Sequence, residues 1–194
     1  MPDYDPELVA FIGRMDYYPN QQAVTMFCRD VLPKLQVRRP AVKFQIVGAE
    51  PPEFIRDLGK LPGVSVTGSV PDVRGYITRA ALTVAPLAIA RGTQNKILES
   101  MAMGVPVVCS VEASGGVDAV AGEHLLVAAN PDEYVASVSR ILESRAERAR
   151  LAEAGRARVL SHHVWRNSMV RLDGILEEAL NRRAAKSPQR VLAA

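Results

Sequence analysis

Leu8-Val9-Ala10-Phe11-Ile12 is an unbroken apolar run that stops at Gly13. Side chains alternate between the two faces of a strand, so such a run leaves neither face for water. It predicts a central parallel strand covered by helices on both sides. Further strand-like segments follow at Val42 to Val47, Val64 to Thr67, Ala81 to Ala85, Val105 to Cys109 and Leu125 to Val127. Helical patterns lie between them. The first places Val24, Phe27, Cys28, Val31, Leu32 and Leu35 on one stripe, and Pro33 should kink or end that helix near Leu32. Shorter helices are expected from Pro52 to Leu58 and after Pro71-Asp72, and a longer one from Gln94 to Met103, ended by Gly104 at its C′ position. Asn130-Pro131-Asp132-Glu133 supplies a cap, an N1 proline and acidic first-turn residues for a helix to about Ser144. The remainder reads as helical, the last helix carrying Trp165, Met169, Leu172, Ile175, Leu176 and Ala179 on one apolar stripe.

Six strands separated by helices describe an α/β fold, a doubly wound, Rossmann-like parallel six-stranded sheet with helices on both faces and further helices at the C-terminus. The expected strand order is 3-2-1-4-5-6, whose reversal opens a crevice between the ends of strands 1 and 4. The expected division is a Rossmann-like domain over residues 1–164, a helix over 165–183 and a flexible tail over 184–194. At 194 residues the main body is one domain by size. Its longest apolar stretch, Ala80 to Ala90, is too short to span a bilayer, and Met1 to Asp5 has no signal-peptide pattern, so a cytoplasmic location is expected. Cys28 and Cys109, in a helix-like and a strand-like segment, read as buried reduced thiols. Net charge is +3, but from Arg140 onward there are 12 Lys/Arg against 6 Asp/Glu, and 12 against 15 before it, so the basicity belongs to the C-terminal helices.

Two loops should border the crevice: Gly13-Arg14-Met15-Asp16 after strand 1 and Pro86 to Lys96 after strand 4. Gly13 lets the chain turn at once and puts the five-donor guanidinium of Arg14 at the mouth, which suits a phosphate; pairing with Asp16 is the structural alternative. In Arg91-Gly92-Thr93-Gln94-Asn95-Lys96 the expected N-cap is Thr93, placing Lys96 at N3, against the positive end of the helix dipole. With Arg91 just before it and Gly92 allowing close backbone approach, the turn attracts an anion onto the free amides of the first helical turn. A solvated turn relieved by a Lys96–Glu99 pair is the alternative. Glu99, one turn on and beside Ile97, Leu98, Met101 and Ala102, is expected at a depth where a carboxylate accepts two hydrogen bonds from a vicinal diol such as ribose.

Other chemistry is poorly supported. Ser114-Gly115-Gly116 is neither a P-loop nor a dinucleotide fingerprint. His124, His162 and His163 lack metal-ligand spacing, His124 reads as structural, and no Asp-x-Asp occurs, so neither a metal nor a cofactor is expected. The basic C-terminal helices lack interleaved aromatics and read as a solvated face, not a nucleic-acid site.

Gly13-Arg14, Ile46-Val47-Gly48, Val66 to Val70 and above all Asn95-Lys96-Ile97-Leu98-Glu99-Ser100-Met101-Ala102-Met103-Gly104-Val105-Pro106-Val107-Val108 resemble family 4 glycosyltransferases, from about Val9 to Trp165. The Met15 to Asn20 segment is most similar to exopolysaccharide-associated sugar transferases. The resemblance implies the C-terminal, donor-binding half of a GT-B fold, with an N-terminal acceptor domain absent here and the helix from Trp165 returning toward it, leaving its apolar stripe uncovered. It implies transfer of a hexose from a UDP- or GDP-sugar, retaining and metal-independent, to an acceptor glycan or lipid-linked sugar. The isolated fragment would then bind donor without appreciable turnover. Arg14 takes the position of the family's diphosphate arginine and Glu99 that of the ribose-binding second glutamate of Glu-x7-Glu. Arg91 stands where the first glutamate would face the sugar, and Pro19-Asn20 occupies the region of a missing phosphate lysine, leaving Lys96 to supply that charge. Arg14, Lys96 and Glu99 are thus the expected catalytic residues, inside a donor envelope of Gly13, Gly48, Gly68, Val70, Arg91, Gly92, Thr93 and Asn95, with the base near Gly68 to Pro71.

Two other functions fit the same architecture. A nucleotide-sugar 2-epimerase needs an acid/base pair in the cleft. A non-catalytic doubly wound module predicts no anion affinity there. The basic tail permits peripheral contact with an anionic membrane.

Overall fold

A computed structural model describes residues 4–186, with the side chains of 165–168 and 184–186 set aside. The Met1 to Asp3 end, the Trp165 side chain and the tail beyond 186 lie outside the described residues. Six strands, β1 (Asp5–Ile12), β2 (Lys43–Val47), β3 (Val64–Val66), β4 (Ala80–Ala85), β5 (Val107–Ser110) and β6 (Leu126–Ala128), form one sheet in the order β3-β2-β1-β4-β5-β6. Every pairing is parallel, with Phe11 opposite Ile46 and Thr83 opposite Val107. The order agrees with the expectation, and it puts the point where the chain reverses direction across the sheet between β1 and β4.

β1 shows why the apolar run is continuous. Val9 and Phe11 enter the larger core cluster, while Ala10 and Ile12 enter a second cluster with Ile77 and Val105. Val9, Ala10 and Phe11 are completely buried. The larger cluster takes in Val24 from α1 (Tyr18–Met26), Leu35 from α2 (Leu32–Arg38) and Phe27 from the turn between them, Ile97 and Met101 from α5 (Asn95–Ala102), and Val138 and Ile141 from α7 (Pro131–Glu143). α3 (Glu53–Asp57), α4 (Arg74–Arg79) and α6 (Val111–Ser114) make the remaining short crossovers.

Pro33 ends nothing. Phe27–Val31 forms a π-helical turn, with the Leu32 amide donating to the Phe27 carbonyl. This wider turn lets α2 begin on Leu32 with the proline in its first turn, where the absent N–H is not needed. Other caps follow the sequence: Asn130 accepts from the Glu133 amide at 3.0 Å, and Gly104, at φ 70°, takes the left-handed position after α5.

The basic C-terminal segment is more than a solvated face. In α8 (Arg145–His162) Arg148 is buried, donates to the Ala81 carbonyl at 2.9 Å and lies 3.5 Å from the Tyr4 ring centre, fastening the helix to the start of β4. Arg158 pairs with Asp118, and Arg140 and Arg150 with Glu147. α9 (Trp165–Lys186) extends past the expected end at residue 183 and exposes Met169, Leu172, Ile175, Leu176 and Leu180. No helix among the described residues is long and apolar enough to cross a membrane.

Candidate functional site

The loop after β1 continues the sheet pairing. The Gly13 amide donates to the Val47 carbonyl at 3.0 Å, and Met15 to Ala49 at 2.8 Å. The approach is so close that a Cβ on Gly48 would stand 1.8 Å from the Gly13 carbonyl oxygen. Gly48 therefore acts through this backbone contact, and it does not line the cleft pockets described below.

Arg14 emerges at the mouth with its side chain 62% exposed and holds two carboxylates, Asp16 at 2.7 Å and Glu50 at 2.6 Å. Its hydrogen bond to Asp16, reinforced by both acids, raises the guanidinium pKa, and the same bond holds Asp16 below the usual carboxylate range. The Arg14–Asp16 pair is present as the alternative reading had it, and Glu50 is an addition. Glu50 sits on a left-handed backbone (φ 56°), a strained conformation for a residue with a side chain.

α5 delivers Lys96 and Glu99. Its N-cap is Gln94, not Thr93, which moves Lys96 from N3 to N2. The Gln94 amide reaches back to the carbonyls of Arg91 (3.3 Å) and Gly92 (3.2 Å), holding the preceding loop and leaving the helix start without a side-chain cap. The Ile97 amide donates to the Gln94 carbonyl at 3.0 Å, which leaves the amides of Asn95 and Lys96 to meet an anion. Lys96 does not pair with Glu99. Its ammonium donates to Asn20 Oδ1 at 2.6 Å and lies 4.3 Å from the Phe11 ring centre. Burial lowers its pKa from 10.5 to about 8, with Glu99 opposing the shift. Glu99 is exposed on the rim, because Ile97, Ser100 and Met101 carry the buried face of α5 while Leu98 and Ala102 are only partly covered.

Asn20 was missed by the sequence reading as a site residue. It is 5% exposed and bridges the two loops: its Nδ2 donates to the Arg14 carbonyl at 2.7 Å while its Oδ1 receives Lys96. Gly13 makes room for both, since a Cβ there would meet Asn20 Nδ2 at 2.7 Å and Lys96 Nζ at 3.0 Å. The sequence held a signal in Pro19-Asn20 standing where a phosphate lysine is missing, but a polar residue in the first turn of a helix ordinarily reads as solvent-facing.

Three adjoining hollows occupy the C-terminal edge of the sheet. One of about 470 Å³ gathers Gly13, Arg14, Asp16, Tyr17, Asn20, Asn95, Lys96 and Glu99. A second, about 220 Å³, shares Tyr17, Asn20 and Lys96 with it and adds Arg91 and Thr93. A third, about 450 Å³, lies beyond Glu50 and is lined by Arg56, Val66, Thr67 and Gly68. Arg14, Lys96, Glu99, Arg91 and Gly68 are thus spread along one crevice. Val70 turns instead toward the smaller core cluster, and Gly92 presents its carbonyl to Gly116. His124 is structural as expected, its Nδ1 accepting from the Val120 amide at 2.9 Å. Both cysteines are buried and free.

The model for "Glycosyl transferases group 1" matches residues 6–144. No curated protein matches the chain by sequence. Among solved structures, TarM is similar at a TM-score of 0.72 with 17% identity, covering 92% of this chain and 35% of TarM. Sucrose-phosphate synthase from Thermosynechococcus elongatus gives 0.71 and 18%, covering 90% and 46%. HepE from Anabaena in complex with UDP-glucose gives 0.63 and 17%, covering 78% and 43%. The chain therefore spans about a third to a half of the length of these structures, and at such identities the likeness is one of fold.

Proposed function

The chain belongs to the group 1 glycosyltransferases, and from that premise we propose that it forms the donor site of an enzyme that moves a sugar from a nucleoside diphosphate to an acceptor hydroxyl. The observation that carries the reading is the hollow of about 470 Å³ in which Arg14, Lys96 and the uncapped start of α5 converge at the β1–β4 reversal, with Glu99 on its rim. Two cations and free helix amides suit a diphosphate. Glu99 accepts the ribose diol, and the base lies toward Gly68, beyond Glu50. Solved relatives of the same fold bear on the donor: a TarM structure is a complex with UDP and a HepE structure a complex with UDP-glucose.

In the proposed reaction the acceptor oxygen bonds C1 as the bond from C1 to the β-phosphate oxygen breaks, the hydroxyl proton leaves with the departing diphosphate, and negative charge grows on that diphosphate. Arg14, Lys96 and the α5 amides stabilise that charge from fixed positions. The family resemblance implies a retaining course, and the chain's own cations answer the diphosphate charge without a metal. Asn20 keeps Lys96 aimed at the hollow and tied to the Arg14 loop. The acceptor side, a glycan or lipid-linked sugar of exopolysaccharide type at the cytoplasmic face of a membrane, belongs to a further domain. α9, with its exposed apolar side chains, offers a face for packing against that domain. On this reading residues 1–164 are the donor domain, and the 194-residue chain alone binds donor with little turnover.

Calorimetry of the chain against a panel of nucleoside diphosphates tests the proposal. We expect UDP or GDP to bind in the micromolar to millimolar range, as about half a site allows. Absence of binding by every diphosphate would refute it.

A further inference from the structure

The second hollow of the crevice has a charge that a neutral sugar does not need. It shares Tyr17, Asn20 and Lys96 with the diphosphate hollow, so a group attached to the β-phosphate has room to extend into it. Its walls include two cationic residues, Arg91 and Lys96, and no carboxylate. The remaining lining is apolar or neutral, with Leu87 almost fully buried behind it. Among the described residues no acid pairs with the Arg91 guanidinium, in contrast to Arg14, which holds two carboxylates. The loop bearing Arg91 is also held in place. Gln94 bonds the carbonyls of Arg91 and Gly92, and Gly116 lies so close to Gly92 that a Cβ on it would come within 2.2 Å of the Gly92 carbonyl oxygen. An unpaired guanidinium on a fixed loop, facing a hollow without acids, is suited to a planar anion that accepts its paired donors.

Resting on the donor-site reading above, we propose that the transferred sugar is a hexuronic acid, whose carboxylate at C6 is received by Arg91 in the hollow that also holds Lys96. A neutral hexose placed there leaves the guanidinium facing hydroxyls. A uronate supplies the missing negative charge and both acceptor oxygens. The hydroxyl of Thr93, on the same wall, is available to the sugar ring.

The test is a matched-pair binding panel on the full chain: UDP-glucose with UDP-glucuronate, UDP-galactose with UDP-galacturonate, and GDP-mannose with GDP-mannuronate, each beside the free diphosphate. At least one uronate should bind about tenfold or more tighter than its neutral partner, the gain expected of a charge-assisted hydrogen-bonded pair. Arg91→Gln should bring that ratio close to one, and Arg91→Lys should retain part of it. Because Arg91 is exposed, thermal melting of the variants should match the parent, and the ratio then reports recognition alone. Diphosphates that bind with no uronate preference would overturn this inference while leaving the donor site standing. So would a preference that survives Arg91→Gln. No binding by any nucleotide would overturn the donor-site reading and the inference with it.

Discussion

Raising the pH should weaken donor binding through one side chain. The Lys96 ammonium is desolvated between Asn20 and the Phe11 ring, and its pKa falls to about 8. A diphosphate beside it favours the charged form, so binding above pH 8 must be accompanied by proton uptake. One unit above its pKa, at about pH 9, roughly one molecule in ten still carries the proton. Affinity for a nucleotide sugar, whose own diphosphate does not titrate there, should therefore drop about tenfold between pH 7 and 9, equivalent to about 1.4 kcal/mol. Calorimetry in buffers of different ionisation enthalpy would count the proton. Lys96→Arg, charged throughout, should flatten the profile, and Lys96→Met should flatten it at a weaker affinity. The same shift has a stability signature of opposite sign. Between about pH 8 and 10.5 the unfolded chain holds a proton that the folded chain has released, so stability should rise with pH across that window. Lys96→Met removes the titrating group, so this rise with pH should be absent from its denaturant unfolding. A profile flat to pH 9 in the parent, or a slope that persists in Lys96→Met, would refute the reasoning.

Glu50 competes with a bound diphosphate for Arg14. An exposed ion pair is worth about 0.2–1 kcal/mol, so Glu50→Gln should tighten UDP or GDP binding by up to about fivefold, measured by calorimetry; weaker binding would contradict this. Gly48→Ala forces a methyl group into the Gly13 carbonyl and should lower stability by about 3 kcal/mol, the upper end of overpacking effects, as read from denaturant unfolding. Burial pushes both Cys28 and Cys109 up to about 12. A thiol-specific chromogenic reagent should therefore react with neither in the native protein at pH 8 and with both after unfolding.

The sheet was legible because β1, β4 and β5 are apolar on both faces where they cross the core, and each crossover is long enough to be helical, which leaves few strand orders open. Arg14, Lys96 and Glu99 could be placed at one crevice once that order was assumed, and the structure brings all three to one hollow. Details that depend on packing were not legible. The π-turn at Phe27–Val31 accommodates Pro33 without ending the stripe, so of the two outcomes expected near Leu32 the helix is distorted and not terminated. The cap of α5 fell on Gln94 because its side chain found the carbonyls of its own loop, a contact that spacing does not encode. The same turn of helix leaves Glu99 at the rim, since Ile97 and Met101 suffice to cover that part of the sheet. Asn20 and Arg148 were unreadable for a shared reason. Each is polar and buried, and its partner, Lys96 or the Ala81 carbonyl, is remote in sequence.

A crystal structure of the chain with UDP or GDP is the most direct test of the donor site. The diphosphate should lie within hydrogen-bonding distance of the Arg14 guanidinium, the Lys96 ammonium and the first amides of α5, with Arg14 released from Glu50 and the ribose diol on Glu99. A nucleotide bound elsewhere, or one in this crevice that touches neither Arg14 nor Glu99, would contradict the account.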